Sequence, residues 1–225
     1  MVSLGLVLLL SYLIGSIPSS LWTGRLKGVD IRQHGSGNAG ATNTFRVLGW
    51  KAGLFVLLAD FFKGFLCTAI ISQIAWQIGS GPVTPEIWDA DSFLRISCGL
   101  MAVVGHMFPV FASFEGGKGA ATAAGMLYGI EPLSISITLV IFVSVIAIFK
   151  YVSLGTIVAA FIYPLSQQLL VWILGWPIDP SVQIFSAIVA AGIIVKHHAN
   201  IRRLFNGTES KVTFCGDESI RDKTE

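Results

Sequence analysis

Three polar strings interrupt an otherwise apolar chain of 225 residues, and their residue types converge on anion chemistry. The first is GSGNAGATN at 35–43, followed by Arg46. Gly35, Gly37 and Gly40 permit tight or left-handed turns, and successive backbone N–H groups in such turns form an anion-binding nest. Ser36, Asn38, Thr42 and Asn43 add neutral donors and acceptors, and Arg46 adds a planar fork suited to phosphate. The second string, GHMFPVFASFEGGKGAAT at 105–122, sets Lys118 among Gly116, Gly117 and Gly119. A helix opening near Gly119 would aim its first N–H groups back at this loop, a ready anion site. The third, KHHANIRRLFNGTE at 196–209, places His197 and Asn200 at i, i+3, on one face of a helix. An imidazole there can act as acid or base near neutral pH. Polar groups are expensive near a bilayer, so the three strings read as one site at one membrane face that takes something small and anionic.

The elements that must position these strings are membrane helices. Hydrophobic residues make up 53% of the chain and charged residues 12%, half the share of about 25% usual in soluble domains. The mean hydropathy is +0.73. Open strands cannot span lipid, so the long apolar runs are helices. They cover 2–24, 52–78, 93–112, 119–131, 133–149, 152–174 and 182–195. A crossing takes about 20 residues, and 119–131 falls short of that. Counting it gives an all-α, polytopic membrane protein: a seven-helix transmembrane bundle with the N-terminus outside and the C-terminus cytoplasmic.

Charge placement supports that orientation. Seven crossings put Arg25, Lys27, Arg32, Arg46, Lys51, Lys118, Lys150, Lys196, Arg202, Arg203, Lys211, Arg221 and Lys223 on one side. The opposite loop, 79–92, carries Glu86, Asp89 and Asp91 and neither Lys nor Arg. This is a positive-inside pattern, and it sets all three polar strings at the cytoplasmic face. The first span lacks a basic flank and an A-x-A-like site, so it is read as retained. Residues 1–210 form a single integral-membrane domain and 211–225 a polar cytoplasmic tail.

Several features have plainer explanations. Lys118 is followed by Gly119, and Ala112 occupies the upstream glycine position of a Walker A motif, so the second string is not a nucleotide-hydrolysis loop. Asp60 and Lys63, at i, i+3 within an apolar span, read as a pair satisfying itself, with Lys63 otherwise facing the site. His106 serves either as a helix cap or in the site, whereas His34 and His198 read as solvated. Cys67, Cys98 and Cys215 show neither metal nor disulfide spacing, and the four His residues show none for metal. No metal and no cofactor are expected. Asn206-Gly207-Thr208 matches a glycosylation sequon but falls on the inner side.

The chain resembles the bacterial membrane acyl-phosphate:glycerol-3-phosphate acyltransferases from about residue 12 to about 211. The resemblance rests on GSIPSS at 15–20, GSGNAGATN at 35–43, GHMFPVFxxFxGGKGxAT at 105–122, and HxxNIxRLxxGTE from His197 to Glu209. It implies a seven-helix bundle in the bacterial inner membrane with its site at the cytoplasmic face. The implied reaction moves a fatty acyl group from acyl phosphate to the 1-hydroxyl of sn-glycerol 3-phosphate, giving lysophosphatidic acid and phosphate. The family's essential residues fall on Ser36, Asn38, Thr42, Asn43, Arg46, Lys118, His197 and Asn200, with Glu209 credited with structural integrity. Gly37 and the glycines around Lys118, namely Gly116, Gly117 and Gly119, would bind substrate. Ser36, Asn38, His197 and Asn200 are the catalytic candidates, with His197 or a substrate phosphate taking the proton.

Expected partners are acyl phosphate, glycerol 3-phosphate, membrane lipid and the enzyme that supplies acyl phosphate. Nucleic acid is not among them. Glu115 departs from the family, which often has Lys there. No HxxxxD string occurs, which argues against an acyl-CoA mechanism of the His/Asp type. The alternative from another class is a membrane transporter of a small phosphorylated solute, for which midplane broken helices and inverted repeats are not evident.

Overall fold

The structure is a computed structural model that describes residues 2–78 and 89–211. Glu86, Cys215 and the tail from 212 lie outside the described residues. Every regular element described is helical. The described residues group into two compact units, one of 2–78 with 94–129 and the other of 89–93 with 130–211.

The first unit begins with α1 (Val2–Gly15) and α2 (Ser19–Leu26). Ser3–Leu26 is one candidate span, as the apolar run over 2–24 predicts, with a break at Pro18 inside it. Proline has no N–H to continue the ladder and pushes the preceding residue out of the helical region. The break bares the carbonyl of Ile17, which accepts from Lys63 Nζ at 3.1 Å. After a loop come α3 (Ala41–Leu48) and α4 (Trp50–Leu66). A π-turn over Cys67–Ile71 then leads into α5 (Ser72–Ile78). α6 (Ala90–Met107), whose residues from Leu94 onward belong to this unit, precedes α7 (Ala120–Ile130).

α7 has 11 residues, about 16 Å at 1.5 Å per residue, against a hydrocarbon core of about 30 Å. Its surroundings explain how so short an apolar helix is accommodated. Thr122, Ala123, Gly125, Met126, Leu127 and Gly129 are all buried. A Cβ on Gly64 would stand 2.0 Å from the Thr122 carbonyl oxygen, and one on Gly125 would stand 1.8 Å from that of Phe61. α4 and α7 therefore touch backbone to backbone, as small residues allow in membrane proteins. Tyr128 packs edge-on against Phe61 and Phe65, with centroids 5.7 and 5.9 Å away.

The second unit holds α8 (Pro132–Phe149), α9 (Val152–Leu174), α10 (Pro180–Lys196) and α11 (His198–Phe205). Glu131 caps α8 by accepting from Ser134 N at 2.7 Å, and Pro132 supplies the preset first-turn backbone. Lys150 ends α8 in a left-handed conformation, and α9 starts two residues later. α10 and α11 meet at a bend of 57°.

Five helical segments among the described residues are long and apolar enough to cross a membrane: Ser3–Leu26, Trp50–Ile78, Ala90–Ala112, Pro132–Phe149 and Val152–Leu174. The bent pair of α10 and α11 makes a sixth if taken as one span. The fold is thus all-helical with five to six candidate spans.

Candidate active site

In the first unit, the first glycine string is folded around Asn43. This side chain is fully buried. Its Oδ1 accepts the backbone N–H of Ser36 at 2.8 Å, while Nδ2 donates to the carbonyls of Ile31 and His34 at 2.8 and 3.0 Å. Gly35 is needed for this wrap, because its φ is +61° and a Cβ there would sit 2.3 Å from Asn43 Oδ1. Ser36, Gly37 and Thr42 are left exposed on the outside of the turn, with Asn38 and Arg46 half-buried. The residues thus separate: Asn43 is committed to holding the loop, and Ser36 and Thr42 are exposed.

Asp30 and Arg32 brace the approach to the string. Arg32 pairs with Asp30 at 2.8 Å and reaches Glu115 at 3.1 Å. Hydrogen bonding from the Arg32 side chain, then from its backbone N–H, holds the Asp30 carboxyl down at about 2. The Glu115 charge is therefore matched by Arg32.

The second string packs onto the C-terminal end of α6. Gly117 N donates to the His106 carbonyl at 3.2 Å. A Cβ on Gly117 would lie 2.3 Å from His106 Nε2 and 2.7 Å from the Ala39 carbonyl oxygen. The first two strings thus meet at Gly117, and only glycine fits between them. Lys118 is exposed beyond this contact, and Gly119 turns the chain into α7 with φ +80°.

Below that junction lies a pocket lined by Pro18, Ser19 and Ser20 at the helix break, by Ala39, by Gly116 and Gly117, and by Asp60, Lys63 and His106. Three polar side chains converge on the buried carboxylate of Asp60. Ser19 Oγ donates to Oδ1. Lys63 Nζ stands 3.0 Å from the same oxygen and His106 Nδ1 3.5 Å from it. Asp60 and Lys63 pair as the sequence suggested, but Ser19 and His106 complete the group. Asp60, Lys63 and His106 were visible as polar residues in apolar spans; nothing in the sequence said that they share one oxygen. Removing one member of a buried charge pair typically costs about 3–5 kcal/mol, because the other is left uncompensated.

The third string belongs to the second unit. His197, buried at the bend between α10 and α11, sets Nδ1 2.8 Å from the Ile193 carbonyl oxygen. A carbonyl only accepts, so Nδ1 carries the proton and the lone pair of the neutral ring is on Nε2. Asn200, also buried, donates Nδ2 to Glu209 Oε1 at 2.8 Å. Ser153 Oγ donates to the same oxygen at 2.8 Å, and Arg203 Nε to Oε2 at 2.6 Å. Burial pushes the Glu209 carboxyl up, but the bonds from Asn200, Ser153 and Arg203 outweigh it and hold the group below its ordinary value. Glu209 thus ties the segment after α11 back to the start of α9. Among the described residues, no cluster of three or more His, Cys, Asp or Glu could hold a metal ion.

A family model described as Glycerol-3-phosphate acyltransferase matches residues 5–207. The chain belongs to this family. A glycerol-3-phosphate acyltransferase of Salinibacter ruber is 47% identical over 214 residues, covering 94% of this chain and 93% of its own length. The acyltransferase of Chlorobaculum parvum is 45% identical over 227 residues, covering 92% of this chain and 96% of its own. Among solved structures, the fold is similar to that of PlsY (YgiH), an integral membrane glycerol 3-phosphate acyltransferase. Its glycerol 3-phosphate form superposes with a TM-score of 0.74 at 36% identity, covering 94% of this chain and 96% of that one. Its lysophosphatidic acid form gives 0.73 at 35% identity with the same coverage. The glycine strings and the His197–Glu209 segment of this acyltransferase family member all fall within the matched region, apart from its last two residues.

Proposed function

We propose that this acyltransferase moves a fatty acyl group from acyl phosphate to the 1-hydroxyl of sn-glycerol 3-phosphate. The hydroxyl oxygen attacks the acyl carbon, the bond from that carbon to the phosphate oxygen breaks, and inorganic phosphate leaves with lysophosphatidic acid as the second product. The family match along nearly the whole chain carries this reading. Acyl phosphate is already activated, so a covalent enzyme intermediate is unnecessary.

Each residue's role follows from its chemistry. Lys118 and Arg46 clamp phosphate oxygens, and the N–H groups of 116–119 and of Gly37 add donors. Ser36 and Asn38, with Thr42 beside them, orient the reacting groups, and the Asn amide stabilises the developing oxyanion. His197 takes the hydroxyl proton on Nε2, the nitrogen left with the lone pair by the Ile193 contact, or shares that task with a substrate phosphate oxygen. Asn43 and Glu209 act from behind, through the segments they hold.

The finer membrane arrangement is part of the same reading. Residues 1–210 form one integral-membrane domain of seven helices, α7 included, in a bacterial inner membrane. The N-terminus is outside, the tail 211–225 and the active site are cytoplasmic, and an acyl-phosphate-forming enzyme supplies the donor. The Lys and Arg distribution supports it. Labelling of single cysteines placed at the two ends of the chain, in sealed vesicles, tests the orientation.

The activity test uses the purified protein in lipid with palmitoyl phosphate and glycerol 3-phosphate, beside the same assay with palmitoyl-CoA. Phosphate release that needs both substrates, with lysophosphatidic acid formed and no turnover from the thioester, is the expected result. Turnover from the thioester alone would refute the acyl-phosphate donor.

A further inference from the structure

The Ser19, Asp60, Lys63 and His106 group has no part in the roles assigned above, yet it is the most heavily charged buried cluster of the first unit. Its members are 8%, 1%, 7% and 7% exposed. Burying a carboxylate, an ammonium and an imidazole together is unfavourable unless each is paired, so a simple packing role would be filled better by apolar side chains. The connections of the group are specific. Ser19 opens α2 immediately after the Pro18 break, and Lys63 binds the Ile17 carbonyl that the break bares, at 3.1 Å. His106 meets the Gly116–Gly119 loop twice, through its carbonyl, which accepts from Gly117 N at 3.2 Å, and through its ring, whose Nε2 would lie 2.3 Å from a Cβ on Gly117. One carboxylate therefore sets where the helix break, α4 and the glycine loop stand relative to one another.

We propose that Asp60 and His106 are positioning residues for glycerol 3-phosphate: the Asp60 carboxylate fixes the His106 ring, and the ring and carbonyl of His106 fix the Gly116–Gly119 loop that carries Lys118. The inference rests on the acyltransferase reading for its kinetic readout. The network touches no reacting atom. Its loss moves the loop, weakening phosphate capture more than turnover at saturating substrate.

Three variants of the full chain in lipid test this: Asp60→Asn, His106→Leu and His106→Asn. The Asn amide nitrogen stands in for Nδ1 and can donate to Asp60, whereas Leu cannot. Asp60→Asn and His106→Leu are expected to raise the apparent KM for glycerol 3-phosphate about 10-fold, with kcat changed less than about 3-fold, and His106→Asn, which has a donor for Asp60 but lacks the ring edge at Gly117, to raise it only about 3-fold. Direct calorimetric titration of glycerol 3-phosphate onto the detergent-solubilised protein should show the same 10-fold weakening. An unchanged KM and binding constant, with only a lower melting temperature or a smaller active fraction, overturns the proposal and leaves a structural role. If Asp60→Asn does not fold, the His106 pair decides. If the parent shows no acyl transfer at all, the acyltransferase reading fails, and the titration alone still decides the positioning role.

Discussion

The Asn43 side-chain oxygen accepts the backbone N–H of Ser36 at 2.8 Å, closing the first glycine string around a buried amide. With the two donations to Ile31 and His34, every polar atom of the Asn43 amide is engaged inside the loop. The carboxamide thus serves as a scaffold for Ser36.

Asn43→Ala should therefore damage the fold locally as well as the activity. Three backbone groups lose their partner, and for the buried carbonyl of Ile31, where water cannot replace it, the loss costs about 1–3 kcal/mol. The melting temperature in detergent should fall, and kcat/KM should fall with it. Ser36→Ala provides the contrast: Ser36 is exposed, so activity should drop with the melting temperature unchanged. Equal thermal stability for Asn43→Ala and the parent would refute the scaffold role.

Gly117→Ala should act through space. The added methyl would lie 2.3 Å from His106 Nε2 and 2.7 Å from the Ala39 carbonyl oxygen. Overpacking of this kind costs about 1–3 kcal/mol. The loop must shift, so the apparent KM for glycerol 3-phosphate should rise in initial-rate assays. A parent-like KM would mean that the loop position does not govern binding.

Lys118 and His197 should separate in kinetics. Lys118→Ala removes a charged phosphate contact of about 1.5–3 kcal/mol, which corresponds to a rise of about 10- to 100-fold in KM for glycerol 3-phosphate. His197→Ala should instead lower kcat, by about 10²–10⁴ if its ring takes the proton. Near-parent turnover for His197→Ala would transfer that task to a substrate phosphate oxygen.

Glu209 links stability to pH. Its folded-state carboxyl is held below the ordinary value of 4.5, so the fold favours the ionised form. That contribution is fully present above about pH 4.5 and is lost as pH falls through the lowered folded value, because the unfolded chain then binds the proton more readily. Melting temperatures measured from about pH 6 down to about pH 3 should decline, and Glu209→Gln should start lower and decline less. Identical acid limbs for the two proteins would show that another group controls the transition.

The sequence by itself determined the class and the chemistry. Long apolar runs in a chain with few charges leave only membrane helices, and clustered Gly, Asn, His, Lys and Arg mark where the polar work is done. The motif strings also sufficed to point to the family. These signals are local: each depends on residue type and spacing within about twenty positions. Tertiary structure decided what each polar residue touches. Pro18 announces a helix break, but only the fold brings Lys63 to the carbonyl that the break exposes. Asp60, Lys63 and His106 are isolated polar residues along the chain, and only packing brings Ser19, Lys63 and His106 to one carboxylate oxygen. Asn43 and Ser36 belong to the same string, yet one is buried and the other exposed, because a left-handed turn at Gly35 folds the loop around one of them. Donors that are distant in sequence meet where desolvation forces buried charges to find partners, and no residue pattern along a single helix carries that information.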